Sequence, residues 1–145
     1  MSQGAARERF IILYDGLCGL CNRLNRFVLK RDHEGRFRFA SLQSEFARAI
    51  LIRHRRSGTD VNTLYVLREV SPAGREELLS KSEAVVAILD QLRGWRLWVR
   101  FVRILPTALT DFGYDLIAKN RYRIFGKYEV CPLPSSSERD RFIQI

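Results

Sequence analysis

The sequence lacks long hydrophobic runs and has few cysteines. No apolar stretch in its 145 residues approaches the ~20 residues that a membrane-spanning helix requires. The apolar run at residues 10–14 is also shorter than the roughly 7–15 residues of a secretory signal. Three cysteines are too few, and odd in number, for a secreted fold held together by several disulfides. These absences predict a cytoplasmic protein.

The composition that is present is typical of a globular protein. Hydrophobic residues make up 46% of the chain and charged residues 28%, which excludes a disordered chain. We expect one domain over residues 1–145, with a core at about 10–93 and a C-terminal helical extension at about 95–145. The net charge of +9 favours acidic partners, but the basic residues are spread along the whole chain, so the charge is more simply explained by a solvated surface.

Hydrophobic periodicity predicts the element order β-α-β-α-β-β-α. The expected strands are 10–14, 36–40, 63–67 and 76–79, and the expected helices run over about 18–32, 42–57 and 80–94. Ser80 and Glu83 have the spacing of a capping box at the start of the third helix. Helical crossovers imply parallel strands, and the turn at 71–74 implies a hairpin. This order is that of a thioredoxin-like α/β fold with extra C-terminal helices.

Two further helices are expected after residue 94. The first, at 95–105, carries arginines at positions 93, 96, 100 and 103 among Trp95, Trp98 and Phe101. Such a basic amphipathic helix either docks to an anionic membrane or nucleic acid or, more commonly, packs its aromatic side on its own core. The second, at 107–121, has an apolar side formed by Leu109, Phe112, Leu116 and Ile117.

The C-x-x-C pair, Cys18 and Cys21, falls between the first strand and the first helix. A cysteine at a helix N-terminus lies among unpaired backbone N–H groups and at the positive end of the helix dipole, so the pKa of Cys18 should fall. Cys21 lies one turn further in and should be less exposed. We predict that Cys18 attacks a substrate disulfide and that Cys21 resolves the mixed disulfide.

Asp15 precedes Cys18 by three residues and allows two compatible roles. Its carboxylate can cap backbone N–H groups at the start of the helix, or it can take the proton of Cys21. The alternatives for the dithiol itself are a zinc site and inert buried cysteines. A zinc site lacks a second close pair of ligands, because Cys131, His33 and His54 are scattered along the chain.

Residues 12–22, Ile-Leu-Tyr-Asp-Gly-Leu-Cys-Gly-Leu-Cys-Asn, resemble the signature of the DCC family of thiol–disulfide oxidoreductases, which is named for its D-x-x-C-x-x-C motif. The likeness continues at residues 31–32, 37–44, 81–84, 114–115, 120–122, 125–126 and 131–132. This resemblance implies a thioredoxin-like fold and an oxidoreductase role. We expect no cofactor and no metal ion at the site. The expected partners are a disulfide-containing protein or small-molecule thiol as substrate and an electron donor that the sequence does not identify.

Several residues have roles that the sequence leaves open. Cys131 either joins the dithiol as a third redox thiol or packs beside Pro132, and Arg121 or Arg123 could stabilise a thiolate if the C-terminal helices fold back. No proline precedes the third strand, where thioredoxins place one opposite the dithiol, so substrate binding should differ in that detail. The competing hypothesis is a non-catalytic binding module that docks through its basic C-terminal helix to nucleic acid, a membrane surface or a protein.

Overall fold

The computed structural model of the chain describes residues 7–32, 35–57, 63–71, 74–92, 94–127 and 139–143. Its elements are β1 (Arg7–Tyr14), α1 (Gly19–Arg31), β2 (Phe37–Ser41), α2 (Glu45–Arg53), β3 (Tyr65–Ser71), β4 (Arg75–Ser80), α3 (Lys81–Asp90), α4 (Arg96–Ile104), α5 (Thr107–Phe125), a 3-10 turn (Arg139–Arg141) and β5 (Phe142–Ile143). No helix within these residues is long and apolar enough to cross a membrane.

The five strands form one mixed sheet in the order β4-β3-β1-β2-β5. β1 pairs in parallel with β2 and antiparallel with β3, and β3 and β4 form the antiparallel hairpin. This confirms the predicted thioredoxin-like α/β fold. α1 is the crossover connection between the parallel strands β1 and β2. The sequence analysis did not predict β5, which pairs in parallel with the free edge of β2 through two residues.

β1 is central in the sheet and is covered on both faces, which explains its unbroken apolar sequence. Phe10, Ile12 and Tyr14 point to the face covered by α1 and α3, whereas Ile11 and Leu13 point to the face covered by α2. The sheet therefore fixes the end of β1, and with it the loop that carries the dithiol, between two packed layers.

One helix start and one helix cap differ from the sequence analysis, whereas α3 begins at Lys81, close to its predicted start at residue 80. α2 begins at Glu45 rather than near Leu42, because the hydroxyl of Ser44 accepts a hydrogen bond from the Ala47 backbone N–H at 3.2 Å and caps the helix there. The capping box predicted at Ser80 and Glu83 does not form: the Ser80 side chain caps nothing. Ser80 is still paired with Tyr65 as the last residue of β4, so its backbone belongs to the strand.

The prediction that α4 packs its aromatic side on the core is wrong. Trp98 is 59% exposed and Phe101 58% exposed. The helix is anchored instead by Val99, which is buried, and by Trp95 just before it, whose ring meets that of Phe27 edge-on at 5.5 Å. The side chains that hold α4 in place thus lie on a narrow stripe, and most of its apolar surface faces outward.

The apolar side predicted for α5 also faces solvent: all four of its residues are more than half exposed. The opposite side of the helix is fixed by polar contacts. The Tyr114 hydroxyl accepts a hydrogen bond from the Leu64 N–H at 2.7 Å, Asp111 accepts one from the Ser82 hydroxyl, and Arg121 is buried. These partly buried and buried polar groups find their hydrogen-bond partners in the observed orientation of α5, which directs them at the rest of the protein.

Candidate active site

Cys18 is the N-cap residue of α1, with an extended backbone. Its sulfur accepts a hydrogen bond from the Cys21 backbone N–H at 3.5 Å, and its carbonyl accepts one from the Asn22 N–H at 3.1 Å. Cys18 and Cys21 are both free thiols rather than a disulfide. The first turn of α1 thus places the two sulfurs side by side, with the helix amides directed at Cys18.

The expected order of exposure is wrong: Cys18 is 0% exposed and Cys21 9%. The cause is the end of α5, which crosses over the start of α1. Cys18 forms an antiparallel bridge with Lys127, and the Gly19 N–H donates to the Gly126 carbonyl at 3.1 Å. We call residues 126–127 the covering segment, because it closes the surface from which Cys18 would otherwise be reached.

Gly19 permits the close approach of the covering segment. A Cβ built at this position would lie 2.1 Å from the carbonyl oxygen of Phe125, a distance that no side chain can tolerate without a shift of the backbone. The glycine inside the C-x-x-C motif therefore has a packing role, in addition to setting the spacing of the two cysteines.

The environment lowers the pKa of Cys18 to about 6. The largest cause is a hydrogen bond from the Cys21 thiol. Burial opposes the shift, and the backbone N–H of Cys21, the positive charge of Arg121 and the backbone N–H of Leu20 favour it. The helix amides thus contribute as expected, but less than the second cysteine does. At neutral pH, Cys18 is mainly a thiolate.

The pKa of Cys21 is raised strongly. Its hydrogen bond to Cys18 is the largest cause, followed by burial and by the negative charge of the Cys18 thiolate, while a backbone hydrogen bond from Asp15 opposes them. The two cysteines therefore share one proton, which stays on Cys21. This separation leaves Cys18 as the more readily ionised thiol and Cys21 as the one that keeps its proton.

Asp15, which is only 1% exposed, forms a hydrogen-bonded centre behind the dithiol. Its Oδ1 accepts from the Leu17 N–H at 3.0 Å and from the Gln43 side-chain amide at 2.8 Å. Its Oδ2 accepts from Arg121 at 3.1 Å and from the Tyr122 hydroxyl. The carboxylate thus caps an N–H of the loop just before α1, while Cys18 itself caps the helix.

Arg121 and Tyr122 reach this centre from the last turns of α5. The guanidinium of Arg121 lies 4.6 Å from the centroid of the Tyr122 ring and donates to its hydroxyl at 3.1 Å. Burial and the hydrogen bond to Asp15 raise the pKa of Tyr122 to about 12, so the phenol stays neutral and keeps its proton for Asp15. The pair supplies a buried positive charge and a neutral donor to one carboxylate.

Asn22 and Gln43 fix the loop between β1 and α1. The Asn22 amide donates to the carbonyls of Gly16 at 3.0 Å and Cys18 at 2.8 Å. Gln43 accepts from the Gly16 N–H at 3.1 Å while its amide nitrogen donates to Asp15. Both side chains satisfy buried backbone groups, which holds the dithiol in one geometry.

The structure brings the three predicted site residues together and adds others. Of the two arginines considered near the dithiol, Arg121 is there, whereas Arg123 is exposed. Sequence reasoning gave no role to Tyr122, Gln43 or Asn22, although all three lie in the segments that carry the family resemblance. Gln43 and Tyr122 lie far from the C-x-x-C motif along the chain, and Asn22 follows Cys21 directly but its residue type alone indicates no role. Only the family pattern signalled these three positions.

The other candidate ligands do not join the dithiol. Among the described parts of the chain, no group of three histidine, cysteine or acidic side chains is placed to hold a metal ion. His54 lies at the end of α2 and contacts Glu76 at 3.2 Å. Cys131 and His33 lie outside the described residues, so the two roles considered for Cys131 stay predictions.

Comparison with known proteins shows the family to which the chain is related. The family model for DCC1-like thiol-disulfide oxidoreductases matches residues 12–127. The chain is similar to the uncharacterized protein YuxK of Bacillus subtilis, with 40% identity over 92% of this chain and 93% of the relative. It is also similar to a chloroplastic DCC family protein of Arabidopsis thaliana, with 32% identity over 87% of this chain and 70% of the relative. No solved structure matches the chain.

Proposed function

The chain belongs to the DCC1-like thiol-disulfide oxidoreductase family, and we propose that it reduces disulfides through Cys18 as the attacking thiolate and Cys21 as the resolving thiol. One observation supports this assignment above the others. The Cys18 sulfur lies at the N-terminus of α1 and accepts hydrogen bonds from Cys21, an arrangement that stabilises the thiolate. An inert buried cysteine would instead have a raised pKa.

In the first step, the Cys18 thiolate attacks one sulfur of a substrate disulfide. A bond forms between Cys18 and that sulfur, the substrate S–S bond breaks, and the other substrate sulfur leaves as a thiolate. Because Cys18 is ionised at neutral pH, this step needs no base.

In the second step, Cys21 must lose its proton. The two influences of Cys18 that raise the pKa of Cys21, the hydrogen bond and the negative charge, disappear once Cys18 is bound in the mixed disulfide. The proton passes to the departing substrate thiolate, and Cys21 attacks the Cys18 sulfur. The second substrate sulfur leaves as a thiolate, which takes a proton from water, and two electrons have moved from the dithiol to the substrate, leaving a Cys18–Cys21 disulfide.

Asp15 fits a positioning role in this sequence. Its carboxylate already accepts four hydrogen bonds, from Leu17, Gln43, Arg121 and Tyr122, so taking up a proton would disrupt the arrangement around it. By holding Arg121, it keeps a positive charge close to Cys18. Transfer of the Cys21 proton to Asp15 is the alternative role.

The covering segment sets a condition on the substrate. Because Cys18 is fully covered, a substrate sulfur reaches it only when residues 126–127 move away from α1. The partners we propose are a disulfide-bearing protein or small molecule that displaces this segment and a thiol donor that reduces the Cys18–Cys21 disulfide afterwards. No cofactor enters the reaction.

The test is thiol reactivity followed across pH. Alkylation by iodoacetamide, located by mass spectrometry, should show Cys18 reacting with a midpoint near pH 6, and Cys21 should not react in that range. With oxidised glutathione as the probe, Cys21→Ser should accumulate a mixed disulfide at Cys18, and Cys18→Ser should accumulate none.

Cys131→Ser separates the two roles left open for Cys131: an unchanged pH profile and mixed disulfide would indicate packing beside Pro132, and a change in either would indicate a third redox thiol. An alkylation midpoint near the free value of ~8.5, or a dithiol that glutathione never oxidises, would exclude the exchange reaction.

A further inference from the structure

The exposed apolar surface of the protein is concentrated on its two C-terminal helices. Among the described residues, nine of the ten exposed large hydrophobic side chains lie on α4 and α5, and the tenth, Ile52, lies on α2. The nine are Leu97, Trp98, Phe101, Ile104, Leu109, Phe112, Leu116, Ile117 and Ile124. Surface apolar residues are ordinarily scattered singly, so such a concentration indicates an interaction surface.

α4 carries the most regular part of this surface. Leu97, Phe101 and Ile104 recur at i, i+4 and i+7 and so lie on one stripe, and the rings of Trp98 and Phe101 contact edge-on at 6.2 Å. Leu97 is 79% exposed and Ile104 82%. Val99 is buried on the opposite side of α4, so the helix packs on the core through that side and its outer face is directed to solvent.

Basic side chains border the outer face of α4. Arg96 and Arg100 are exposed and lie one turn apart, and Arg103 is exposed as well, at 3.5 Å from Asp90. α4 itself contains no acidic residue. The helix therefore combines an aromatic and aliphatic face with a cationic border, in a chain whose net charge is +9.

We propose that the outer face of α4, formed by Leu97, Trp98, Phe101 and Ile104 with Arg96 and Arg100 at its border, binds the surface of an anionic lipid bilayer. Helices of this pattern lie in the plane of the membrane interface, with apolar side chains inserted among the acyl chains and arginines at the anionic headgroups. Tryptophan favours that interface, since its ring is apolar and its N–H is polar.

Charge and side-chain chemistry argue against a nucleic acid and against a second copy of the chain. A nucleic acid would use the arginines and the aromatic rings, but Leu97 and Ile104 offer nothing to phosphates or base edges. A second copy of the chain would bring the same arginines together across the contact, which opposes association. An anionic bilayer matches both the apolar face and the positive charge.

The test is binding of the full-length protein to large unilamellar vesicles. The protein should co-sediment with vesicles of equal parts phosphatidylglycerol and phosphatidylcholine, and its tryptophan emission should shift to the blue. It should bind vesicles of phosphatidylcholine alone far less. The blue shift should be lost in Trp98→Phe. The double variant Arg96→Gln/Arg100→Gln should bind roughly 25-fold more weakly, at about fivefold for each arginine near an anionic surface.

Matched controls distinguish binding through the outer face of α4 from binding that depends only on the overall charge or hydrophobicity of the protein. Phe101→Ser should weaken binding on the order of tenfold, whereas Ile52→Ser, which removes a side chain with the same 58% exposure on α2, should have no effect. Arg48→Gln/Arg56→Gln removes the same charge from exposed positions elsewhere and should weaken binding much less.

Three results would overturn the proposal. They are equal binding to both kinds of vesicle, a concentration-dependent dimer in sedimentation velocity that Phe101→Ser abolishes, and binding to a DNA duplex that depends on Arg96 and Arg100 while vesicles are ignored. None of these outcomes bears on the thiol chemistry, because the altered residues lie outside the dithiol site.

Discussion

The two ends of α1 are each held by a buried aspartate paired with an arginine from far along the chain. Asp15 precedes the helix and pairs with Arg121, and Asp32 follows it and pairs with Arg141. Each aspartate also accepts backbone N–H groups nearby, from Leu17 in one case and from Arg36 and Phe37 in the other. An ion pair of the same kind therefore lies next to each end of α1.

The two pairs differ in what surrounds them. At Asp32, the Arg141 side chain also donates to the Phe37 carbonyl at 3.0 Å, which ties the 3-10 turn and β5 to β2. At Asp15, the arginine is shared with Tyr122 and its charge reaches Cys18. The two ion pairs thus differ because a titratable group, Cys18, lies within the field of the arginine at Asp15.

Arg121→Ala should have the largest effect. It leaves the Asp15 carboxylate buried without its cation, and loss of one partner of a buried pair destabilises a protein by about 3–5 kcal/mol. The pKa of Cys18 should also rise, because the positive charge that favours the thiolate is gone. Urea unfolding measures the first effect and the pH profile of Cys18 alkylation the second.

Arg141→Ala is the control at the other end of α1. It should destabilise the protein less, by about 1–3 kcal/mol, since Arg141 is partly exposed, and it should leave the pKa of Cys18 unchanged. Arg121→Lys should keep most of the effect on Cys18 because it keeps the charge. If the pKa of Cys18 shifted equally in Arg121→Ala and Arg141→Ala, the proximity of Arg121 to Cys18 would not be the cause of the shift.

Gly19→Ala tests the covering segment and should have an intermediate effect. Its Cβ has no space beside the Phe125 carbonyl, so either the end of α5 moves or the protein is destabilised, by about 1–3 kcal/mol as in other overpacked sites. Displacement of residues 126–127 should expose Cys18 and speed its alkylation.

Gly35→Ala is the matched change beyond the other end of α1. Gly35 has a positive φ of 67° but open space around its Cβ, so alanine there should cost about 1–2 kcal/mol through backbone strain alone. In the Gly35→Ala variant, Cys18 should be alkylated at the same rate as in the wild type. An unchanged rate in Gly19→Ala would show that the covering segment does not control access.

Tyr122→Phe should have the smallest effect. It removes the hydroxyl that donates to Asp15, which should cost about 1.5 kcal/mol at neutral pH, as for other hydrogen bonds to charged groups. The folded pKa of Tyr122 is raised to about 12, so its contribution to stability is full below the unfolded pKa of ~10 and is lost as the pH rises through about 12.

Alkaline unfolding provides the readout for Tyr122. The wild type should lose more stability than Tyr122→Phe between about pH 10 and pH 12, and the two proteins should converge above that range. Parallel curves would indicate that the phenol is not shielded as the structure has it. The matched substitution Tyr114→Phe removes another hydroxyl of α5 and should leave the alkylation of Cys18 unchanged.

The order of elements and the position of the dithiol were predictable from the sequence, because both depend on local patterns. The apolar run of β1, the helical period after Cys18 and the hairpin turn each occupy a short stretch of chain. The short strand β5 was not predictable, since its two residues pair only because the 3-10 turn brings them to the edge of β2. The capping box failed because Ser80 is held by a strand that the local pattern does not include.

The sequence by itself determined the fold class, the C-x-x-C motif and the place of Cys18 at the start of a helix, because these follow from period, turn residues and spacing within a few positions. The tertiary structure decided the rest. It selected Arg121 rather than Arg123 as the cation at Asp15, covered Cys18 with residues 126–127, and turned the apolar faces of α4 and α5 outward. These features depend on contacts between residues far apart in the chain, which a local sequence pattern does not contain.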